Sequence, residues 1–267
     1  MTVTINGCWE NSYGSKMNLI VLSDGWVFGD YTSTTGASGT YFVLGRVSHQ
    51  PVTKDVGQAL VLSIFWKPIH KAPPDNSWHW VSSYCGQLQS NGTLTVVNSL
   101  VVSMEYEGIA IGSYIDNLTF KKSISTSSSL PQPSFFDLFN CSTSCLHKCA
   151  LTGLWQDTEE GISLNLATFN VEIGLIKGTL KYEGETIEMR GFYDMNADSI
   201  GLQSITLSGC LSGNPIALSG SLNTEKNTLT LFRWLACGTT SEEVFLQANA
   251  SGWILNKQSS DSEENKE

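Results

Sequence analysis

Asn11 and Ser15 are the residues in this sequence best placed to do chemistry beside an apolar surface. They stand in Asn6-Gly-Cys-Trp-Glu-Asn-Ser-Tyr-Gly-Ser15, where Ile5, Trp9 and Tyr13 recur at the period of a half-buried strand. Asn11 shares the face of Trp9, and Gly14-Ser15 turns the chain before Met17-Asn18-Leu19-Ile20-Val21. An amide and a hydroxyl buried beside a tryptophan must find partners or cost about 1–3 kcal/mol each. Either the fold supplies those partners or a ligand does. The chemistry in view is hydrogen-bond recognition rather than bond-making. The four histidines (49, 70, 79, 147) are scattered, and the sequence has no Gly-x-Ser-x-Gly, phosphate loop or metal motif. Asp30 and Asp116 could serve as paired carboxylates, but nothing in the sequence brings them together. We expect no enzyme and no cofactor.

The elements that must hold these residues are strands. From Met1 to Lys122, strand-like runs at 3–10, 16–22, 25–31, 40–48, 58–67, 78–88, 92–103 and 109–120 are separated by turn residues such as Ser23-Asp-Gly and Ser90-Asn-Gly. Eight strands without a helical period point to an up-and-down barrel or a sandwich. Residues 123–148 have linker composition, Ser/Pro-rich and then Cys-bearing. Strand signals return at 149–156, 162–169, 172–181, 185–193, 200–208, 214–223, 227–237 and 243–255, opening on Cys149-Ala-Leu-Thr-Gly-Leu-Trp155, a second Gly-x-Trp. One barrel-sized unit repeated is the simplest organisation. The expected units are 1–122, the linker 123–148, a degenerate copy at 149–257 and an acidic disordered tail, 258–267.

Composition narrows the partners. The chain has 267 residues and a net charge of −10, with no basic patch for nucleic acid or anionic membrane. No apolar run approaches the roughly 18 residues of a helical membrane span. Seven cysteines occur, at 8, 85, 141, 145, 149, 210 and 237. The spacing of Cys141, Cys145 and Cys149, with His147, fits no common zinc site, and disulfides are expected instead, Cys149 pairing with Cys210 or Cys237. Cys8 and Cys85 should face outward. Sequons at Asn91, Asn117, Asn140 and Asn249 lead us to expect a secreted glycoprotein, although Met1-Thr-Val-Thr4 does not read as a signal peptide.

The first repeat resembles the avidin/streptavidin family of biotin-binding proteins. Four blocks carry the likeness: Asn6–Ser15; Gly29-Asp-Tyr31-Thr-Ser33-Thr-Thr-Gly36 with Tyr41-Phe-Val-Leu-Gly45-Arg46; Leu62-Ser-Ile-Phe-Trp66-Lys67; and Ser82-Ser-Tyr84-Cys-Gly86-Gln87. The resemblance implies two tandem eight-stranded antiparallel up-and-down β-barrels, the first binding biotin with high to moderate affinity. It implies that Asn11, Ser15 and Tyr31 donate to the ureido oxygen, and that Ser33 and Asp116 accept from the ureido N–H groups. Asn117 is the alternative to Asp116 if the last strand is shifted by one residue. Trp66 and Tyr84 would sandwich the ring, Thr35, Gly36 and Ala37 would lid it, and Ser82 would meet the sulfur or the valeryl tail. Leu100 stands where the family has a tryptophan on strand seven. Gly108 or Ile109 falls where another tryptophan reaches across from a neighbouring subunit.

The second repeat is similar in outline only. Asp157, Glu159, Ile162 and Leu180 replace the polar cradle, whereas Trp234 fits the strand-seven tryptophan and Phe245 the reaching one. We therefore expect a structural second barrel that lends Phe245 to the first site. The pair would form an internal pseudo-dimer, or two chains a pseudo-tetramer of four barrels. The rival readings are a lectin- or lipocalin-like carrier of sugar or lipid, and an avidin-like module whose pockets are both lost. Trp9 and Trp155 read as core plugs. Trp78-His-Trp80 reads as packing under its own loop.

Overall fold

The computed structural model describes residues 4–35, 37–69, 74–123, 149–197 and 201–258. Nearly all of the linker, including Asn140, Cys141 and Cys145, lies outside them, as does the tail beyond Gln258. Sixteen strands form two closed barrels of eight, each strand antiparallel to its neighbours. The first comprises β1 (Gly7–Asn11), β2 (Lys16–Val21), β3 (Trp26–Ser33), β4 (Gly39–Val47), β5 (Gln58–Phe65), β6 (Trp80–Leu88), β7 (Thr93–Val102) and β8 (Gly112–Lys122). The second comprises β9 (Gly153–Asp157), β10 (Ile162–Asn170), β11 (Leu175–Tyr182), β12 (Glu185–Tyr193), β13 (Leu202–Leu211), β14 (Asn214–Asn223), β15 (Thr228–Ala236) and β16 (Ala248–Lys257).

The repeat is visible atom by atom. The Trp9 indole donates to the Ile5 carbonyl at 2.8 Å while the Lys122 ammonium covers its ring at 5.2 Å. Trp155 does the same with Leu151 at 2.8 Å and Lys257 at 5.2 Å. Closure matches as well, Trp9 standing opposite Lys122 and Trp155 opposite Lys257. Both tryptophans are fully buried plugs, as their sequence setting predicts. Gly86 and Gly220 mark another shared constraint. A Cβ on either would lie 2.0 Å from the carbonyl oxygen of Thr95 or Thr230 on the next strand, so only glycine lets the sheet close there.

The barrels pack side by side, β4–β7 of the first against β12–β15 of the second. Phe28, Leu44, Phe65, Val81 and Val101 meet Leu175 and Phe192 in one apolar cluster, and Ala59, Val61 and Cys85 meet Ala217, Trp234 and Ala236 in another. Between them runs a hydroxyl seam: Ser63–Ser208 at 2.9 Å, Ser83–Thr206 at 2.7 Å and Ser99–Ser219 at 3.0 Å. The two units thus form a pair within one chain.

Two expectations are corrected here, for Trp234 and for the disulfides, and the outward placement of Cys8 and Cys85 is qualified, since both are buried. Trp234 does not enter the second barrel; it alternates with inward Leu229 and Leu231 and packs on the first barrel, its indole donating to Ser219 at 3.2 Å. Cys85 does face out of its own barrel, yet the second barrel buries it to 1% exposure. Cys8 is buried as well. The disulfide expectation also fails among the described cysteines: 8, 85, 210 and 237 are free thiols, and Cys149 sits against Gln203. A Cys149 bridge to Cys210 or Cys237 is therefore absent, and the zinc question for Cys141 and Cys145 lies outside the described residues.

Candidate ligand-binding site

The first barrel is open at the end where β1 and β2, β3 and β4, β5 and β6, and β7 and β8 are joined. There a pocket of about 270 Å3 is lined by Asn11, Tyr31, Ser33, Thr35, Ala37, Trp66, Tyr84, Leu100 and Asp116. Nine of the residues singled out from the sequence therefore share one space. The alternation of the strands explains it. On β3, Tyr31 and Ser33 point inward with Val27. On β8, Asp116 shares the inward face of Leu118 and Phe120.

That alternation settles the register of the last strand. Asp116 stands opposite Asn98, and Asn117 stands opposite Val97 on the outer face, where it is exposed. It also separates Asp30 from Asp116. Asp30 alternates with inward Tyr31 and lies on the outer side of the wall, accepting from Asn18 Nδ2 at 2.8 Å. Asp30 and Asp116 therefore do not form a carboxylate pair.

Asn11 serves both masters posed by the sequence. Its Oδ1 accepts the backbone N–H of Tyr13 at 3.1 Å and of Ser15 at 3.0 Å, which pins the β1–β2 turn. That fixes the orientation of the amide and leaves the NH2 group as the donor at the pocket wall. Ser15 behaves differently. It is fully buried and does not line the pocket. Its hydroxyl accepts the Thr34 N–H and meets the Thr34 hydroxyl, each at 3.2 Å, while that hydroxyl donates to the Tyr13 carbonyl. Ser15 is thus satisfied by the fold, and to reach a ligand it would have to turn away from Thr34.

The lid loop is tied down from below. Ser33 Oγ donates to the Thr35 carbonyl at 2.8 Å, and the Tyr41 hydroxyl donates to the Ala37 carbonyl at 3.0 Å. With its proton spent, Ser33 keeps its lone pairs as acceptors for whatever enters. Gly36 lies outside the described residues.

The apolar walls are aromatic. Tyr31 stands edge-on to both Trp66 (5.9 Å) and Tyr84 (6.2 Å), and Tyr41 packs on Trp66 at 4.9 Å. Ser82 lies behind this wall rather than in it: fully buried, it accepts the Trp66 indole N–H at 3.0 Å and holds that ring in place. Burial, then Tyr31 and Asp116, push the Tyr84 hydroxyl well above the ordinary tyrosine range. It stays protonated, a donor at any physiological pH.

Several wall residues were given no ligand-contact role from the sequence: Tyr13, Trp80, Asn98, Ile109 and Leu118. The period of two held the signal for two of them. Trp80 shares a face with Ser82 and Tyr84, and Asn98 shares one with Leu100. Trp80 is buried with its indole on the Met104 carbonyl at 2.8 Å, so it is wall rather than loop packing. Asn98 carries a buried Oδ1 with no hydrogen-bond partner among the described residues.

Phe245 is not at this site. It is 76% exposed, on the β15–β16 connection. That connection is fastened to the first barrel at its far end, by Thr239 on Gln87 and by Gln247 on Thr95. Gln87 is seven residues along β6 from Trp80, about 23 Å at strand rise. The expectation that Phe245 completes the pocket within one chain is therefore wrong.

With this geometry in view, comparison with known families is decisive for the first unit. The Avidin family model matches residues 1–123. That match and the closed eight-stranded barrel together mark the first unit as avidin-like. No curated protein matches the chain. The second unit, with its own closed eight-stranded barrel, makes the whole an avidin-like tandem. Its interior is filled where the avidin-type barrel beside it is open. Ile162, Leu164, Leu180 and Leu207 occupy it, and Tyr182 packs on Trp253 at 4.8 Å. Asp157, two residues after Trp155 as Asn11 is after Trp9, caps its turn through the Glu159 and Glu160 N–H groups. A carboxylate there keeps the turn but brings no donor.

Proposed function

We propose that the first barrel binds biotin and that the second is a structural partner. The observation that carries this reading is the division of polarity across one pocket. Donors sit at the Asn11 and Tyr31 end; acceptors sit at Ser33, Asn98 and Asp116; aromatic rings lie between. A cyclic urea has the matching pattern, one strong acceptor oxygen flanked by two N–H groups. Charge that develops on such an oxygen is stabilised most where donors are already oriented in a dry site.

In this reading the ureido oxygen takes the Asn11 amide and the Tyr31 hydroxyl, with Ser15 as a third donor if its hydroxyl turns. Its N–H groups go to Ser33 Oγ and to the Asp116 and Asn98 oxygens. Trp66, Trp80, Tyr84 and Leu100 cover the bicycle. The valeryl tail leaves past Ala37 and Thr35. Leucine at 100 offers less contact area than an aromatic would, so the affinity falls short of what a fully aromatic box gives, by a few kcal/mol at most. Outside the chain, Ile111, Tyr114, Ile115, Phe245, Leu246 and Ile254 are exposed apolar residues. A second copy covering them would make the four-barrel assembly that the family resemblance suggests.

The test is a biotin titration followed by tryptophan fluorescence, on the wild type and on the double variant Asn11→Ala/Tyr31→Phe. Saturable quenching in the first and its loss in the second is the expected result. No quenching at millimolar biotin in the wild type would overturn the function while leaving the fold.

A further inference from the structure

A second cavity, of about 520 Å3, lies where the two barrels meet. Its walls come from both units: Phe42, Phe65, Lys67 and Trp78 from the first, Ile173 and Phe192 from the second. Strand alternation generates it beside the first pocket. Trp66 turns into the barrel, while Phe65 and Lys67 on either side turn out towards the neighbouring barrel. The two sites share a wall but no lining residue.

The polar groups of this cavity are unbalanced. The Lys67 ammonium has three N–H donors. One goes to the backbone carbonyl of Glu172, and another approaches the Met195 sulfur at 3.4 Å, a weak acceptor. The ring of Trp78 lies 5.6 Å from the same ammonium. Its own indole N–H is buried without a hydrogen-bond partner among the described residues. Among the described residues, Lys67 and Glu172 are the two charged ones of the lining, and Glu172 is exposed to solvent. Burial draws the Lys67 amine below its ordinary value, and the Glu172 charge opposes that only in part. The cavity therefore presents aromatic walls and an under-partnered cation. Concave, mostly apolar spaces of this size with one convergent charged group, at the boundary between units, are the usual form of small-molecule sites.

The geometry points to a second binding site between the barrels, for a small planar aromatic carboxylate whose carboxylate pairs with Lys67. The flat body slides between Phe42, Phe65 and Phe192, where offset and edge-on ring contacts are available. The carboxylate supplies the acceptor that the Lys67 ammonium lacks. This site is independent of the biotin reading and needs no residue of the first pocket.

The test is calorimetric titration of the full chain with 2-naphthoate and, separately, with the uncharged 2-naphthalenemethanol. Two variants accompany the wild type: Lys67→Met, which keeps the apolar stem, and Ile173→Trp, which fills the cavity from the second barrel. Near-UV circular dichroism checks that each remains folded. Saturable one-to-one binding of naphthoate is expected, weakened about tenfold or more by Lys67→Met, as for loss of a charge-assisted hydrogen bond. The alcohol should be indifferent to Lys67→Met, and Ile173→Trp should block both probes. Absence of saturable binding at millimolar naphthoate would overturn the proposal, as would equal naphthoate affinity in the wild type and Lys67→Met.

Discussion

Asn98 on β7 and Asp116 on β8 stand directly opposite one another and line the same pocket. The pair puts two acceptors side by side, and the Asn98 Oδ1 has no partner among the described residues. An acceptor stranded in this way lowers stability until an N–H arrives. Asn98→Leu should therefore weaken biotin binding by about tenfold, the worth of one hydrogen bond in a dry site. The same change should leave the unliganded barrel as stable or more stable, because the orphan is removed. Calorimetry and urea denaturation on one preparation read the two effects. A variant that loses stability and keeps its affinity would show that Asn98 serves the fold.

Asn11 allows its two duties to be separated. Asn11→Asp keeps the oxygen that caps the β1–β2 turn and removes the NH2 donor; Asn11→Ala removes both. Asp157 already demonstrates that a carboxylate can cap the corresponding turn of the second barrel. Asn11→Asp should unfold near the wild-type urea midpoint yet fail to bind biotin tightly. Asn11→Ala should fail to bind and also lose about 1 kcal/mol of stability through the uncapped N–H groups. Equal stability losses in both would mean that the Oδ1 contacts contribute nothing.

Asp30 gives the pH dependence a definite sign. Burial raises its pKa above the ordinary aspartate value, and the Asn18 hydrogen bond only partly offsets this. A raised carboxyl in the folded state means that folding favours the protonated form. Its contribution is complete below the unfolded value, about pH 4, and is lost as pH climbs through the higher folded value. Asp30→Asn cannot ionise and still offers an oxygen to Asn18. The variant should be more stable than the wild type at neutral pH, with the difference closing below about pH 4. Urea midpoints measured across that range check it; a constant difference would exclude Asp30 as the titrating group.

The sequence made the strands legible because their inward faces are written at period two. All sixteen runs read as strands are strands, with ends displaced by a few residues where turns intervene. Trp78 and His79, which open the run read as 78–88, belong to a short 3-10 turn, Asn76–His79, capped by Asp75, whose Oδ1 accepts the Ser77 N–H. In the polar half of the pocket, Asn11 was legible from the face it shares with Trp9, whereas Tyr31, Ser33 and Asp116 were indicated by the family resemblance. What period two does not reveal is which outer faces meet. Trp234, Cys85 and Phe65 are outward residues of their own barrels, and only the packing of one barrel on the other buries them. Phe245 was misplaced for that reason too. Its position depends on how the barrels lie together, and a strand pattern carries no information about that.

The hydroxyl seam predicts how the two barrels stand or fall. Thr206 sits at its centre, in contact with Ser63 at 3.0 Å, Ser83 at 2.7 Å and the Ser82 carbonyl at 3.2 Å. All are buried, so none can turn to water instead. Thr206→Val keeps the shape but leaves Ser63 and Ser83 short of a partner, a loss of about 1–3 kcal/mol. Replacing the cluster together, with Ser63→Ala and Ser83→Ala added, removes the orphans and should recover much of that loss. Since Trp9 and Trp155 plug different barrels, tryptophan fluorescence reports on both. One urea transition, coincident with far-UV circular dichroism, is expected of barrels joined by a buried seam. Two separated transitions in the wild type would mean that the seam only positions the barrels and does not couple their folding.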